Sequence, residues 1–217
     1  YLSAGHPVLK IDDSYKDNTL TIEVTQEQDL DQVPVFRIPV SVDVWLKQGK
    51  RRFTVLIDRP SMTFEFPLPE EPRLVLFDGD QHLLAETDHV KSQGEYIYQF
   101  YNTDQFLPRY KALEALLKVP GDSLNWLVLM DALDDPFWKF RQMAVNALED
   151  YEGQDMNQIE KKLVQIARED EKSLVRADAI HMLYTHYGDD YTQLFEETLN
   201  DSSYMVVGTA IYALSSV

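Results

Sequence analysis

Up to about residue 90, apolar residues recur at every second position, which is the period of a strand with one buried face. The clearest run is Phe36, Ile38, Val40, Val42, Val44 and Leu46, with Arg37, Ser41 and Asp43 on the other face. Shorter runs lie at 8–11, 19–25, 53–57, 62–66, 74–77 and 82–85, separated by turn-forming residues. Seven such strands predict an antiparallel β-sandwich of immunoglobulin-like type over residues 1–90 and exclude a parallel α/β sheet.

From about residue 91 the period becomes that of a helix, and a pattern repeats. Arg-x-x-Ala-x-x-x-Leu begins at Arg109, at Arg141 after 32 positions and at Arg176 after 35, and a fourth copy begins at Val207 after 31, without its Arg. Partner helices fit between the copies, at about 124–133, 158–167 and 192–199. Helix pairs at this spacing predict an α-solenoid of the HEAT or armadillo kind over residues 91–217.

An acidic residue stands five or six positions ahead of each copy: Asp104, Asp135, Asp170 and Asp201. We expect each carboxylate to lie near a helix N-terminus, where free N–H groups and the helix dipole favour it. Because the Arg side chains recur in register, a ladder pairing them with these carboxylates is favoured over substrate binding. The last helix, from residue 204, is apolar where a terminal repeat usually has a polar surface, so either more chain follows it or it packs on something else.

Composition narrows the function classes. The 217 residues include 20 Lys and Arg, 37 Asp and Glu and no Cys, for a formal charge of −17. Disulfides and thiolate metal sites are therefore excluded. The negative charge argues against nucleic-acid and membrane-surface partners, and no apolar run is long enough to span a bilayer. The start at Tyr1 looks like a cut piece of a longer protein. A chain without Cys suits the cytoplasm or the periplasm.

No metal or cofactor site is predicted. Five His are present: His6, His82, His89, His181 and His186. None belongs to an H-E-x-x-H pair, and His181 and His186 are five positions apart, so they do not share a helix face. The chain also lacks G-x-S-x-G and a phosphate-binding glycine loop. We therefore predict no catalytic, cofactor-binding or metal residue, which indicates a binding or structural module.

The remaining polar and aromatic clusters have structural interpretations. The acidic pairs are Asp12-Asp13, Asp134-Asp135 and Asp189-Asp190, for which capping of a turn or helix start is predicted over catalysis or calcium binding. Asp78-Gly79-Asp80 is expected to be a hairpin turn. Lys47, Lys50, Arg51 and Arg52 are expected at a solvated hairpin tip, or against an acidic domain. Tyr96, Tyr98, Phe100 and Tyr101 are expected to pack between the two halves, with ligand stacking as the alternative.

Several short motifs resemble a known family. The chain opens with Gly5-His6-Pro7, has a strand ending in Gln26, and continues with Phe36-Arg37-Ile38-Pro39. These segments, with 75–78 and the helical stretches at 109–113 and 175–179, resemble the region that follows the catalytic domain in the aminopeptidase N family of zinc peptidases. The resemblance covers essentially the whole chain.

That resemblance implies a fragment without the chemistry. Family members hold zinc with H-E-x-x-H and a downstream Glu, and grip the substrate amino terminus with Gly-x-Met-Glu-Asn; neither motif occurs here. The fragment would then be a spacer sandwich and a helical cap over the active-site cleft. Its partner would be the catalytic domain of the same polypeptide, which holds the zinc, and peptide substrate would be contacted only indirectly.

Two alternatives stay open. One is a stand-alone adaptor whose acidic solenoid binds a basic protein. The other is a noncatalytic relative of the peptidase, in which the upstream domain has itself lost zinc.

Overall fold

The computed structural model describes residues 5–119, 121–149 and 156–215. The chain divides into two compact units, Tyr1–Asn102 and Thr103–Val217. Strands come first and helices follow, as the two periods predicted. The first unit also contains helix α1, Gln93–Asn102, which contacts the last strand of the second sheet.

The first unit contains two sheets. Its strands are β1 Val8–Lys16, β2 Thr19–Gln26, β3 Ile38–Leu46, β4 Gly49–Ile57, β5 Ser61–Pro67, β6 Leu74–Phe77 and β7 Glu86–Asp88. One sheet has the order β5-β2-β1-β7 and the other β4-β3-β6. Neighbours pair antiparallel except β1 and β7, which run parallel.

One apolar cluster lies between the sheets. Alternate residues of the first sheet, including Leu9, Ile11, Leu20 and Ile22, pack with the inward row of β3 from Ile38 to Leu46. This arrangement is what a period of two requires, because successive side chains point to opposite faces.

The seventh strand differs from its prediction. It lies at Glu86–Asp88 rather than at 82–85, and its parallel pairing departs from a wholly antiparallel sandwich. The carboxylate of Asp78 accepts the backbone N–H groups of His82 and Leu83, at 3.2 and 2.9 Å, and this holds the preceding segment in a loop. Since β6 and β7 belong to different sheets, the 78–80 turn begins a crossover and the hairpin prediction was wrong.

The second unit consists of helices α2 Phe106–Leu117, α3 Ser123–Ala132, α4 Trp138–Asn146, α5 Met156–Glu169, α6 Ser173–Tyr187, α7 Thr192–Thr198 and α8 Tyr204–Ser215, with a 3-10 turn at Gly188–Tyr191. The repeated pattern falls on α2, α4, α6 and α8, and α3, α5 and α7 are the partner helices. The repeated Ala and Leu are buried in the first three copies, and in the fourth Ala210 is buried. Small side chains at these points let neighbouring helices approach closely.

Candidate functional site

The five His do not assemble a site. Across residues 5–119, 121–149 and 156–215, no group of three or more His, Asp or Glu side chains could hold a metal ion. His6 contacts Glu86, His89 contacts Asp13, His181 lies beside the ring of Tyr212, and His186 contacts the carbonyl of Leu148. His82 is exposed in the crossover loop. The described part of the chain also has no helix long and apolar enough to cross a bilayer.

In the helical unit, three Arg side chains join successive repeats. The pairs are Arg109 with Asp135, Arg141 with Asp170 at 2.7 and 2.8 Å, and Arg176 with Asp201 at 2.9 and 2.8 Å. Each Asp precedes the patterned helix of the following repeat, so every pair bridges two repeats. The predicted Arg ladder is confirmed, and it runs forward along the array.

Each ladder carboxylate is also held by its own repeat. Asp135, Asp170 and Asp201 each accept the backbone N–H two residues on, at 2.8 Å. The N-cap positions of α4 and α6 are Phe137 and Lys172, whose side chains make no capping hydrogen bond. The carboxylates therefore lie near the helix starts, as predicted, but they fix the turn before the helix.

Arg141 shows why this pair is structural. Its guanidinium donates to the carbonyls of Asp135 and Pro136 at 2.8 and 3.2 Å, besides Asp170. The hydrogen bond to Asp170 raises the pKa of Arg141 against the opposing effect of burial. The side chains of Arg141 and Asp170 are only 11% and 4% exposed, so water screens the pair weakly, and the guanidinium donates to oxygens of the protein itself.

An acidic groove of about 410 Å³ lies beside this pair. Its charged lining is Asp134, Asp135, Glu169, Asp170, Glu171, Arg141 and Lys162. Several of these carboxylates are already paired, Asp134 with Lys162 among them. The side chain of Glu171 is 79% exposed. The lining contains no Ser, Thr or His, so it offers charge to a cationic group but no nucleophile.

A second groove, of about 480 Å³, lies between α5 and the segment around α7. Tyr191 lines it and donates its hydroxyl to Glu160. Burial, then this hydrogen bond, raises the pKa of Tyr191, so its phenol stays neutral. Val164 of α5 and Leu194 of α7 also line it, so the groove has mixed polarity.

An exposed aromatic edge lies at the N-termini of α2 and α4. Phe106 and Phe137 are 47% and 41% exposed, their ring centroids are 5.4 Å apart, and Leu107 beside them is 41% exposed. Both rings also contact buried Phe140. We call this exposed apolar cluster the aromatic edge.

The motif segments of the first unit meet in a buried amide network. Gln26, at the end of β2, accepts the backbone N–H of Phe36 and donates to its carbonyl, both at 2.9 Å. Gln28 donates to Gln26 at 2.9 Å and to the carbonyl of Pro34 at 3.2 Å. A Cβ on Gly5, whose φ is +112°, would meet Val33 at 2.7 Å. These residues therefore order the loop before β3.

The basic cluster is largely neutralised. Asp43 on β3, 1% exposed, accepts from Arg52 at 2.6 and 2.8 Å and from Lys50 at 2.9 Å. Burial alone would raise the pKa of Asp43, but the hydrogen bonds from Arg52 and Lys50 outweigh it and hold that pKa below its usual range. The four basic residues are exposed at the β3–β4 hairpin, as predicted, but Lys50 and Arg52 cover Asp43 on the face of β3 that was expected to be wet.

Asp13 and His89 form a contact that the sequence did not reveal. Asp13 lies within β1, so the prediction that its acidic pair caps a turn was wrong. His89 Nε2 contacts Asp13 at 2.6 Å, and Lys91 Nζ lies 3.0 Å from His89 Nδ1 and 2.7 Å from the carbonyl of Val75. Lys91 Nζ is also 3.3 Å from His89 Nε2, so it lies against both ring nitrogens and not in line with Nδ1 alone. The three side chains join β1, β6 and the start of α1.

The other predicted clusters have separate places. Asp134-Asp135 precedes α4, and Asp189-Asp190 lies in the 3-10 turn before α7, so both stand at helix starts as predicted. The aromatic residues Tyr96 to Tyr101 lie on α1: Phe100 is buried, Tyr98 stacks against Arg73, and Tyr101 is about half exposed.

Comparison with family models finds a match within the helical unit. A model of HEAT repeats matches residues 126–215, which lie within the helical unit. The match supports the predicted solenoid and falls on the patterned helices α4, α6 and α8. No curated protein matches the chain.

A solved structure resembles the chain through both units. It is an aminopeptidase A of Legionella pneumophila in complex with aspartic acid. The likeness covers 98% of this chain and 32% of that one, with a TM-score of 0.61 and 11% sequence identity. At this identity the likeness establishes the fold. This chain spans about a third of the length of that structure.

Proposed function

We propose that this chain is the noncatalytic C-terminal region of a zinc-dependent aminopeptidase that removes N-terminal residues from peptides. The sandwich is the spacer, of immunoglobulin-like type, and the helical array closes over the active-site cleft of a catalytic domain on the same polypeptide. One observation carries this proposal: the likeness to an aminopeptidase runs through 98% of the chain, and the chain spans only 32% of that enzyme.

The motif residues support it. Gly5, Gln26 and Phe36, which resemble the segment after a peptidase catalytic domain, all act on the fold of the loop before β3. Residues that only order a loop are expected in a spacer. Closure by a cap excludes water and positions substrate, so a region without reacting groups still contributes to catalysis.

The surfaces fit docking within one polypeptide. The aromatic edge of Phe106, Leu107 and Phe137 is apolar, as expected for a face covered by another domain. The acidic groove supports indirect substrate contact, because its open carboxylate Glu171 would attract a cationic peptide group.

The proposal is tested on the full-length protein that the gene encodes. In the sequence that precedes Tyr1, we expect an H-E-x-x-H motif followed by the third zinc ligand, a Glu. We also expect the encoded protein to bind one zinc and to release amino acids from aminoacyl reporter substrates. Deleting the helical unit should change the relative rates on short and long peptides, because it alters access to the cleft. An upstream domain without the His pair would contradict the peptidase assignment.

A second experiment distinguishes the peptidase region from a stand-alone adaptor. If the acidic solenoid recruits a basic protein, a pull-down with this chain recovers such a protein, and the affinity falls steeply as salt rises. The peptidase assignment expects binding to its own upstream region instead.

A further inference from the structure

Helix α8 has two apolar faces. Val206, Ala210 and Ala213 are buried against the array, while Tyr204, Met205, Gly208 and Ile211 are exposed on the opposite side. Positions i, i+1, i+4 and i+7 form one continuous stripe of a helix, which we call the α8 face. The sequence of α8 contains no charged residue, although the chain carries a net charge of −17.

The repeat register shows what this face corresponds to. A shift of 31 positions, which aligns Val207 with Arg176, aligns Gly208 with Ala177 and Ile211 with Ile180. In α6 those two residues are 3% and 0% exposed, whereas Ile211 is 55% exposed. In α4 the corresponding Gln142 and Val145 are also buried.

The following repeat covers this stripe in the upstream copies. Gln142 of α4 donates to Asp178 of α6 at 2.8 Å. His181 and Tyr184, next to Ile180 on α6, contact the ring of Tyr212 on α8. The α8 face therefore continues an interface that the array already makes between its other repeats.

Gly208 supports close packing by another helix. A Cβ added there would meet nothing within 4 Å. An exposed Gly in a helix interior costs about 1 kcal/mol relative to Ala. Because Gly has no side chain, the backbone at this point is open to close approach by a neighbouring helix.

We propose that a further helical repeat of the same polypeptide packs on the α8 face. A second copy of the chain fits less well, because two chains that each carry a net charge of −17 repel one another. The three side chains and the Gly of this face also bury at most a few hundred Å², less than the roughly 800 Å² per partner of a stable interface. A tethered repeat avoids most of the entropy loss of association. The inference holds whether or not the upstream region is a peptidase.

Thiol labelling tests it, because the chain has no Cys of its own. Ile211→Cys and, as the matched control, Ile180→Cys are made in the 217-residue chain and in the protein as its gene encodes it. In the 217-residue chain, Ile211→Cys should react fast and Ile180→Cys slowly. In the encoded protein, labelling of Ile211→Cys should slow at least about tenfold, towards that of Ile180→Cys, since it then requires local opening.

Three outcomes overturn the proposal. One is fast labelling of Ile211→Cys in the encoded protein, and another is a reading frame without a helix pair after Val217. The third is a dimer of the 217-residue chain that Ile211→Lys dissolves, measured by light scattering across a concentration series, which would make a second copy the occupant. If Ile180→Cys fails to fold, Ala177→Cys serves as the buried control, since it lies on the same stripe.

Discussion

The two units hold buried polar groups in different ways. In the sandwich, the hydrogen-bond networks of Asp43 and Gln26 are single arrangements that do not repeat. The partners of each residue come from neighbouring strands or loops. In the helical unit, one arrangement of Arg and Asp recurs three times, always between adjacent repeats. We call each of these Arg–Asp pairs a clamp. With a repeated clamp, the free energy of unfolding is close to a sum of contributions from adjacent repeats, whereas a single buried contact belongs to one cooperative core. A destabilising substitution should therefore lower the stability of its own unit only. Within the sandwich it should affect the whole core, and within the helical unit mainly the neighbouring repeats.

The largest expected effect comes from breaking one clamp. Asp170→Ala leaves Arg141 buried without its carboxylate and should destabilise the helical unit by about 3 kcal/mol. Glu171→Ala is the matched control, because the exposed side chain of Glu171 lies 3.5 Å from the same Arg. This substitution should change the free energy of unfolding by no more than about 0.5 kcal/mol. Urea unfolding followed by far-UV circular dichroism compares them. Equal effects of the two substitutions would show that the ladder is not a clamp.

The second effect tests the sandwich. Arg52→Met leaves the carboxylate of Asp43 with Lys50 alone and should cost about 2 kcal/mol. Arg51→Met, exposed on the same strand, is the control. With Trp126 and Trp138 replaced by Phe, fluorescence of Trp45 reports on the sandwich alone, since the chain has three Trp. If Arg52→Met also unfolds the helical unit, the two units are not independent.

The third effect is a pH dependence confined to the sandwich. Burial, reinforced by Lys91 and opposed by Asp13 and Glu95, lowers the pKa of His89. The unfolded chain then binds the proton more readily, so the stability contribution is complete above the usual His pKa of about 6.5 and falls as the pH drops below it. His89→Gln should flatten that slope in urea titrations, while exposed His82→Gln should not. A slope unchanged by His89→Gln contradicts the assignment.

The smallest expected effect concerns the space around Gly208 on α8. Gly208→Ala adds a Cβ in open space and should stabilise the 217-residue chain by about 0.5–1 kcal/mol. Thermal unfolding measures the shift. A destabilised variant would mean that the space around Gly208 is occupied.

Local patterns predicted much of this molecule, and long-range contacts account for the rest. The alternation from Ile38 to Leu46 predicted β3, and the spacing of Arg141 and Asp170 predicted the ladder, because both depend on one period along the chain. The strand at Glu86–Asp88 has no apolar alternation, and backbone pairing with β1 defines it. His89 and Asp13 lie 76 positions apart, so no local signal connects them. For the same reason the role of Gln26 became visible only with its partners in place.

Zinc content is the most direct test of the central claim. The protein as its gene encodes it should contain one zinc per polypeptide, and the 217-residue chain purified alone should contain none and hydrolyse no aminoacyl reporter substrate. One zinc bound by the 217-residue chain, or hydrolysis by it, would contradict the account.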